Sequence, residues 1–139
     1  MKTGESIFAK THAEFLNQLL KKDYKAWMKS GYNLPDGKII WMIELGPFIT
    51  AAGWVNELVG RQIREEHVRS KFEYDTHNTY KNSLITGEKF CDADRVIFDI
   101  KNKSGQRKYI FRGVFRLNKE KSTVSMNVWD LVKDEYFFG

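Results

Sequence analysis

Hydrophobic and polar positions alternate most regularly between Arg107 and Leu117. Tyr109, Phe111, Phe115 and Leu117 fall on one face, and Lys108, Ile110, Arg112, Val114 and Arg116 on the other. A period of two carried by aromatic and β-branched side chains predicts a half-buried strand. Cations beside Ile110 and Val114 mark the second face as partly packed and partly offered to something negative. The alternation returns in Arg95–Ile100, with Val96, Phe98 and Ile100 inward. It returns again in Val124–Val132, with Met126, Val128 and either Leu131 or Trp129 inward. Polar turns at Lys101–Gln106, around Ser104-Gly105, and at Asn118–Thr123 separate the three predicted strands.

The first half follows a different pattern. Thr11-His12-Ala13-Glu14 has the form of a capping box. Phe15, Leu16, Leu19, Leu20, Tyr24, Trp27 and Met28 follow at helical spacing, with Lys21, Lys22, Lys25 and Lys29 between them. This predicts an amphipathic helix from Ala13 to Met28, stopping near Gly31. Its lysines read as a solvated face, or as contacts to a phosphate backbone. Leu34-Pro35-Asp36-Gly37 is a turn, and Ile39–Leu45 a buried strand ended by Gly46-Pro47. Phe48–Val59 is ambiguous: a short strand at Phe48–Thr50, a loop at Ala51-Ala52-Gly53, and a second segment from Trp54. Gln62–Phe72 has helical character, with Ile63, His67 or Val68, and Phe72 on one side. Glu73–Lys89 reads as a long polar loop holding one apolar island, Leu84-Ile85. The aromatic terminus Tyr136-Phe137-Phe138-Gly139 is expected to pack back on the domain. Helices early and strands late predict an α+β fold: an N-terminal amphipathic helix and a second helix packed on a mainly antiparallel, barrel-like sheet, in a single domain over residues 1–139.

Composition adjusts this picture. With 139 residues and 42% hydrophobic content the chain can bury a core without a metal or a disulfide. The 14% aromatic content is high enough to ask whether every ring is core. A net charge of +5 favours phosphate-rich or acidic partners. Cys91, the single cysteine, allows no internal disulfide. The first ten residues hold no signal-peptide run, and the longest apolar run, Ile39–Ile43, is too short to span a bilayer. The expected setting is cytoplasmic, with no membrane.

Four constellations could carry chemistry. Residues 101–121 contain eight lysines and arginines against Glu120 alone, so this stretch holds +7 against the chain's +5. Arg107, Lys108, Arg112, Arg116 and Lys119 are the candidates for nucleic-acid phosphates. The plainer alternative is a solvated outer face whose lysines discourage edge pairing. Trp54 follows Gly53 and stands two residues from Asn56. A ring that stacks beside an amide that reads an edge is what an unstacked base needs. Trp41 and Tyr109 complete the candidate base pocket, against the alternative of core packing. Asp99-Ile100-Lys101 has the Asp-x-Lys form that PD-(D/E)xK nucleases use to hold Mg²⁺ and position water. Asp75, Asp92 and Asp94 are the available second carboxylates. His12, His67 and His77 share no metal-ligand spacing, and neither a Gly-x-Ser-x-Gly motif nor a Gly-rich phosphate loop occurs. No metal or cofactor is therefore expected.

The segment Asp94-Arg95-Val96-Ile97-Phe98, the basic turn and Tyr109-Ile110-Phe111-Arg112-Gly113-Val114-Phe115 resemble barrel strands of the PUA-like superfamily, which includes the ASCH, EVE, YTH and SRA domains. The match covers residues 94–132. The resemblance implies a small, partly open β-barrel with flanking helices that binds DNA or RNA, in several members through a modified base held in an aromatic pocket. The expected function is a nucleic-acid-binding module that recognises a modified or unstacked base. Two alternatives stand beside it: an Mg²⁺-dependent nuclease using Asp99 and Lys101, and a protein-binding accessory or inhibitory domain of a nucleic-acid enzyme. A homodimer through exposed Phe137 and Phe138 is compatible with each.

Overall fold

A computed structural model describes residues 1–68 and 78–139. In chain order the elements are β1 (Ser6–Ala9), α1 (His12–Leu20), β2 (Gly31–Asn33), β3 (Ile39–Ile43), β4 (Trp54–Val59), β5 (Gln62–His67), α2 (Tyr80–Thr86), β6 (Arg95–Lys103), β7 (Gln106–Leu117) and β8 (Met126–Lys133). The fold is α+β with mostly antiparallel pairing, as expected. The chain forms two compact units. The first holds Met1–Glu44, Asp94–Val114 and Val132–Gly139, and the second Leu45–Ala93 and Phe115–Leu131.

In the first unit the strand order is β2-β3-β6-β7, with β1 also on β7. β3 and β6 run parallel, Ile40 opposite Val96 and Met42 opposite Phe98, while β1 pairs antiparallel with β7. The β7 alternation is realised at Tyr109 and Phe111, which are fully buried, but past Gly113, at φ 114°, Val114 joins their core cluster although the alternation set it on the other face. Phe15 of α1 stacks on Tyr109 at 4.1 Å between ring centroids and 7° between planes, and meets Phe98 edge-on at 4.7 Å. Burying each such ring contributes roughly 1.5–3 kcal/mol, so these rings fix α1 to the sheet. The β6–β7 turn is made at Ser104 and Gly105, both at positive φ, 49° and 80°, a conformation glycine adopts without penalty.

The helix expected to reach Met28 ends at Leu20. Thr11 caps its start by accepting from the Glu14 amide. Lys21 ends it in the left-handed region, at φ 56° and ψ 51°, with its N–H donating to the Asn17 carbonyl. The aromatic stripe beyond is satisfied another way: Tyr24, Trp27 and Tyr32 pack on one another at centroid distances of 5.0–5.9 Å. At the other terminus Phe138 packs on Phe98 and Phe111, so of the two phenylalanines expected to be exposed only Phe137 is, at 85%.

In the second unit β4 pairs antiparallel with β5, and β5 with β8. Gln62–His67, expected as helix, is therefore strand. Its inward positions are Ile63, Glu65 and His67, and an inward carboxylate and imidazole hide a period-two signal. Val68 follows β5 outside any strand and is exposed; the remainder of the expected helix and the loop residues Asp75 and His77 lie in 69–77, outside the described residues. Phe48–Thr50 forms no strand. The second helix lies instead within the stretch expected as loop. Thr79 caps it by accepting from the Asn82 amide, and Gly87 ends it at φ 77°.

Candidate nucleic-acid interface

The second unit carries a polar row across three strands. Asn56 of β4 lies opposite Glu65 of β5, and Glu65 opposite Asn127 of β8. Opposed residues in antiparallel strands put their side chains on the same face. Asn127 is fully buried. Its Nδ2 donates to Glu65 Oε1 at 2.8 Å, and its Oδ1 accepts from the Tyr80 amide at 2.8 Å. Trp129, also buried, donates its indole N–H to the same Glu65 oxygen at 3.3 Å. Asn56 is 7% exposed, and its Oδ1 has no hydrogen-bond partner among the described residues. A buried acceptor left unmet costs about 1–3 kcal/mol, so this oxygen is a place where a ligand donor would be rewarded.

The row is flanked by two others. On one side Leu58, Ile63 and Trp129 are opposed in register. On the other, Trp54 lies opposite His67, its half-buried ring edge-on to the imidazole at 4.9 Å and 79°. Trp54 and Asn56, two apart on one strand, thus share a face, and the aromatic–amide pair read from the sequence is brought together. Glu65 and Asn127 were not singled out there. They lie 62 positions apart, and only strand pairing joins them.

Trp41 and Tyr109 belong to the first unit. Trp41 is half-buried in β3, opposite Gly31 and Ile97. Tyr109 is wholly buried; one ring face is taken by Phe15, and its hydroxyl meets His12 Nδ1 at 2.7 Å. Burial raises the Tyr109 pKa. Burial first, and the Arg107 guanidinium second, lower that of His12. Arg107 therefore stands at this core-edge pair, half-buried beside Ala9 of β1.

The remaining basic candidates divide by partner. Arg112 Nη2 lies 3.4 Å and Lys101 Nζ 3.1 Å from the two carboxylate oxygens of buried Asp99. Lys119 reaches Asp92 at 3.1 Å, and this carboxylate holds its ammonium pKa above the ordinary value. Lys108 lies over the Phe8 ring at 5.9 Å, and Arg116 is exposed. Asp99 and Lys101, the pair of the nuclease alternative, form an ion cluster with Arg112. Among the described residues no group of three or more His, Cys, Asp or Glu is placed to hold a metal ion. A broad cleft in the first unit is lined by Lys2, Lys38 and Lys133 but also by Glu5, Asp36, Asp134 and Glu135, a balance that offers a phosphate nothing. No helix among the described residues is long and apolar enough to cross a membrane.

Comparison with known proteins adds the family. The family model described as SRA, SET and RING associated domain, matches residues 1–138. The solved structure of the 5-hydroxymethylcytosine-specific restriction enzyme AbaSI has a similar fold, with a TM-score of 0.60 and 23% identity over 93% of this chain. This chain spans 39% of that enzyme's chain. No curated protein sequence matches.

Proposed function

The chain belongs to the SRA family, whose domains bind modified cytosine in DNA, and on that premise we propose that it is a DNA-binding module that reads a methylated or hydroxymethylated cytosine lifted out of the base stack. The observation that carries this reading is the family match over residues 1–138, essentially the whole chain. The named specificity of the structural neighbour for 5-hydroxymethylcytosine agrees with it.

The base is received in the second unit at Trp54 and Asn56. Lifting a base from the duplex costs a few kcal/mol, which stacking on a ring and bonding to the base edge must offset. Trp54 supplies the stacking face. Asn56 Oδ1, buried without a partner among the described residues, accepts from the exocyclic amino group of cytosine, a donor that thymine and uracil lack at that position. The Glu65–Asn127–Trp129 bonds hold the neighbouring strands in place so that this acceptor keeps its position. Phosphates are met in the first unit by Lys108 and Arg112, and in the second by Arg116 and Lys119, with the aspartates paired to Arg112 and Lys119 sharing these cations with phosphate. Arg107 stands at the His12–Tyr109 pair of the first unit.

The test is equilibrium binding to otherwise identical duplexes carrying one cytosine, 5-methylcytosine or 5-hydroxymethylcytosine, with single-stranded RNA of the same sequence as the fourth ligand. Tighter binding to a modified duplex than to the plain one, with RNA weakest, is the expected order. Equal affinity for all three duplexes removes modified-base reading, and preference for RNA removes the DNA assignment.

A further inference from the structure

The segment that leaves α1 has no role in the base site, yet it is built to present charge. Between Lys21 and Lys29 stand four lysines, Lys21, Lys22, Lys25 and Lys29, against Asp23 alone. All four are exposed, and none is ion-paired to a described residue. Elsewhere in the same unit Lys38, Lys101 and Arg112 are each held by an aspartate.

The backbone beneath these lysines is not helix, but it is pinned. Lys21 turns the chain in the left-handed region. Asn17 then clasps Tyr24 from both sides, its Oδ1 accepting from the Tyr24 amide at 2.8 Å and its Nδ2 donating to the Tyr24 carbonyl at 2.9 Å. The Tyr24 and Tyr32 hydroxyls bond at 2.7 Å, and the Trp27 indole N–H donates to the Gly31 carbonyl at 3.2 Å. The half-buried rings of Tyr24 and Trp27 anchor the segment, and the lysines alternate with these anchors on the outside. A fixed backbone removes most of the ordering cost that flexible basic loops meet on binding.

We propose that Lys21–Lys29 is a second DNA contact, a clamp on the phosphate backbone separate from the cations of β7. This rests on the DNA-binding reading above. Contacts to phosphate carry no base information, so the clamp adds affinity and salt dependence without changing which cytosine is preferred. Each lysine that neutralises a phosphate adds about 0.9 to the slope of log affinity against log salt on duplex DNA.

The experiment compares the full chain with the triple variant Lys22→Gln/Lys25→Gln/Lys29→Gln across a NaCl series, on the plain and the 5-hydroxymethylcytosine duplexes. The slope should fall by roughly 2–3, with the ratio of the two affinities unchanged, and the triple Lys→Arg variant should keep the full slope. An unchanged slope in the Gln variant overturns the clamp. Wild-type binding without base preference, together with a reduced slope in the variant, overturns modified-base reading and leaves the clamp supported. Absence of wild-type binding to either duplex overturns both.

Discussion

In the first unit Asp99 is 2% exposed and meets two cations, Lys101 at 3.1 Å and Arg112 at 3.4 Å. In the second unit Asn56 is 7% exposed, and its Oδ1 meets nothing among the described residues. Both are polar groups taken out of water, and the physical demand on each is the same. One is answered from within the unit. Arg112 Nε is also without a hydrogen-bond partner among the described residues, but the charge of Arg112 is compensated by Asp99. The other is not answered, although donors are close at hand. Asn127 and Trp129 donate to Glu65 in the adjoining strand and leave Asn56 an open acceptor. Buried polarity that closes on itself holds a fold together, whereas buried polarity left open beside an aromatic ring suits a ligand.

This contrast can be broken or sharpened by mutation. Asp99→Ala should have the largest effect, because it leaves Arg112 without its buried counter-charge. A loss of roughly 3–5 kcal/mol is expected, read from the midpoint and slope of urea unfolding. A change below about 1 kcal/mol would mean that the cluster is only surface ion pairing. Asn127→Ala strips partners from the Tyr80 amide and from Glu65, and should cost about 2–3 kcal/mol in the same assay. If Asn127→Ala unfolds no more easily than wild type, the polar row is not holding β5 and β8.

The smallest effect is in pH. His12 has a lowered pKa in the folded chain, through burial first and Arg107 second. The unfolded chain therefore takes up a proton near 6.5 while the folded chain resists it. The stability from this site is complete above that pH and is lost as pH falls toward the folded value. His12→Gln should flatten the change between wild-type stability at neutral and mildly acid pH; an equally steep fall in the variant assigns the dependence elsewhere.

The sequence made β6, β7 and β8 legible because apolar residues recur in them at a period of two, as at Val96, Phe98 and Ile100 or at Tyr109 and Phe111, although β6 also buries Asp99 and β8 Asn127. It concealed β5 because Glu65 and His67 occupy inward positions, where the alternation rule expects hydrophobic side chains. The spacing of Ile63 and His67 then imitated a helix. α1 looked longer than it is because Tyr24 and Trp27 continue the helical spacing while packing with Tyr32, a contact made by the chain's return at β2. α2 has too few turns to leave a stripe, and its Leu84 and Ile85 are exposed at 62% and 72%. For the candidate site, Trp54 and Asn56 could be paired from the sequence because they stand two apart in one short segment, which the fold makes one strand. Glu65 and Asn127 were missed because their meeting depends on the register of β5 with β8. The +7 stretch was correctly seen as charge, but its distribution was not. Asp99 and Asp92 neutralise part of it, and neither partnership has a local sequence signal.

The contrast between the two units comes to its sharpest point at Asn56, and the affinities of Asn56→Leu for duplexes carrying 5-hydroxymethylcytosine or 5-hydroxymethyluracil at the same position test it most directly. The amino group that Asn56 accepts from is shared by plain and modified cytosine and is absent from the uracil. Losing one base-edge contact of about 1–3 kcal/mol should reduce the preference for 5-hydroxymethylcytosine over 5-hydroxymethyluracil by roughly 10–100-fold. The salt slope should be retained, and folding stability should move little because an unmet acceptor has been replaced by an apolar group. A variant that keeps its full preference for 5-hydroxymethylcytosine over 5-hydroxymethyluracil would contradict the assignment of Asn56 as the group that reads the base.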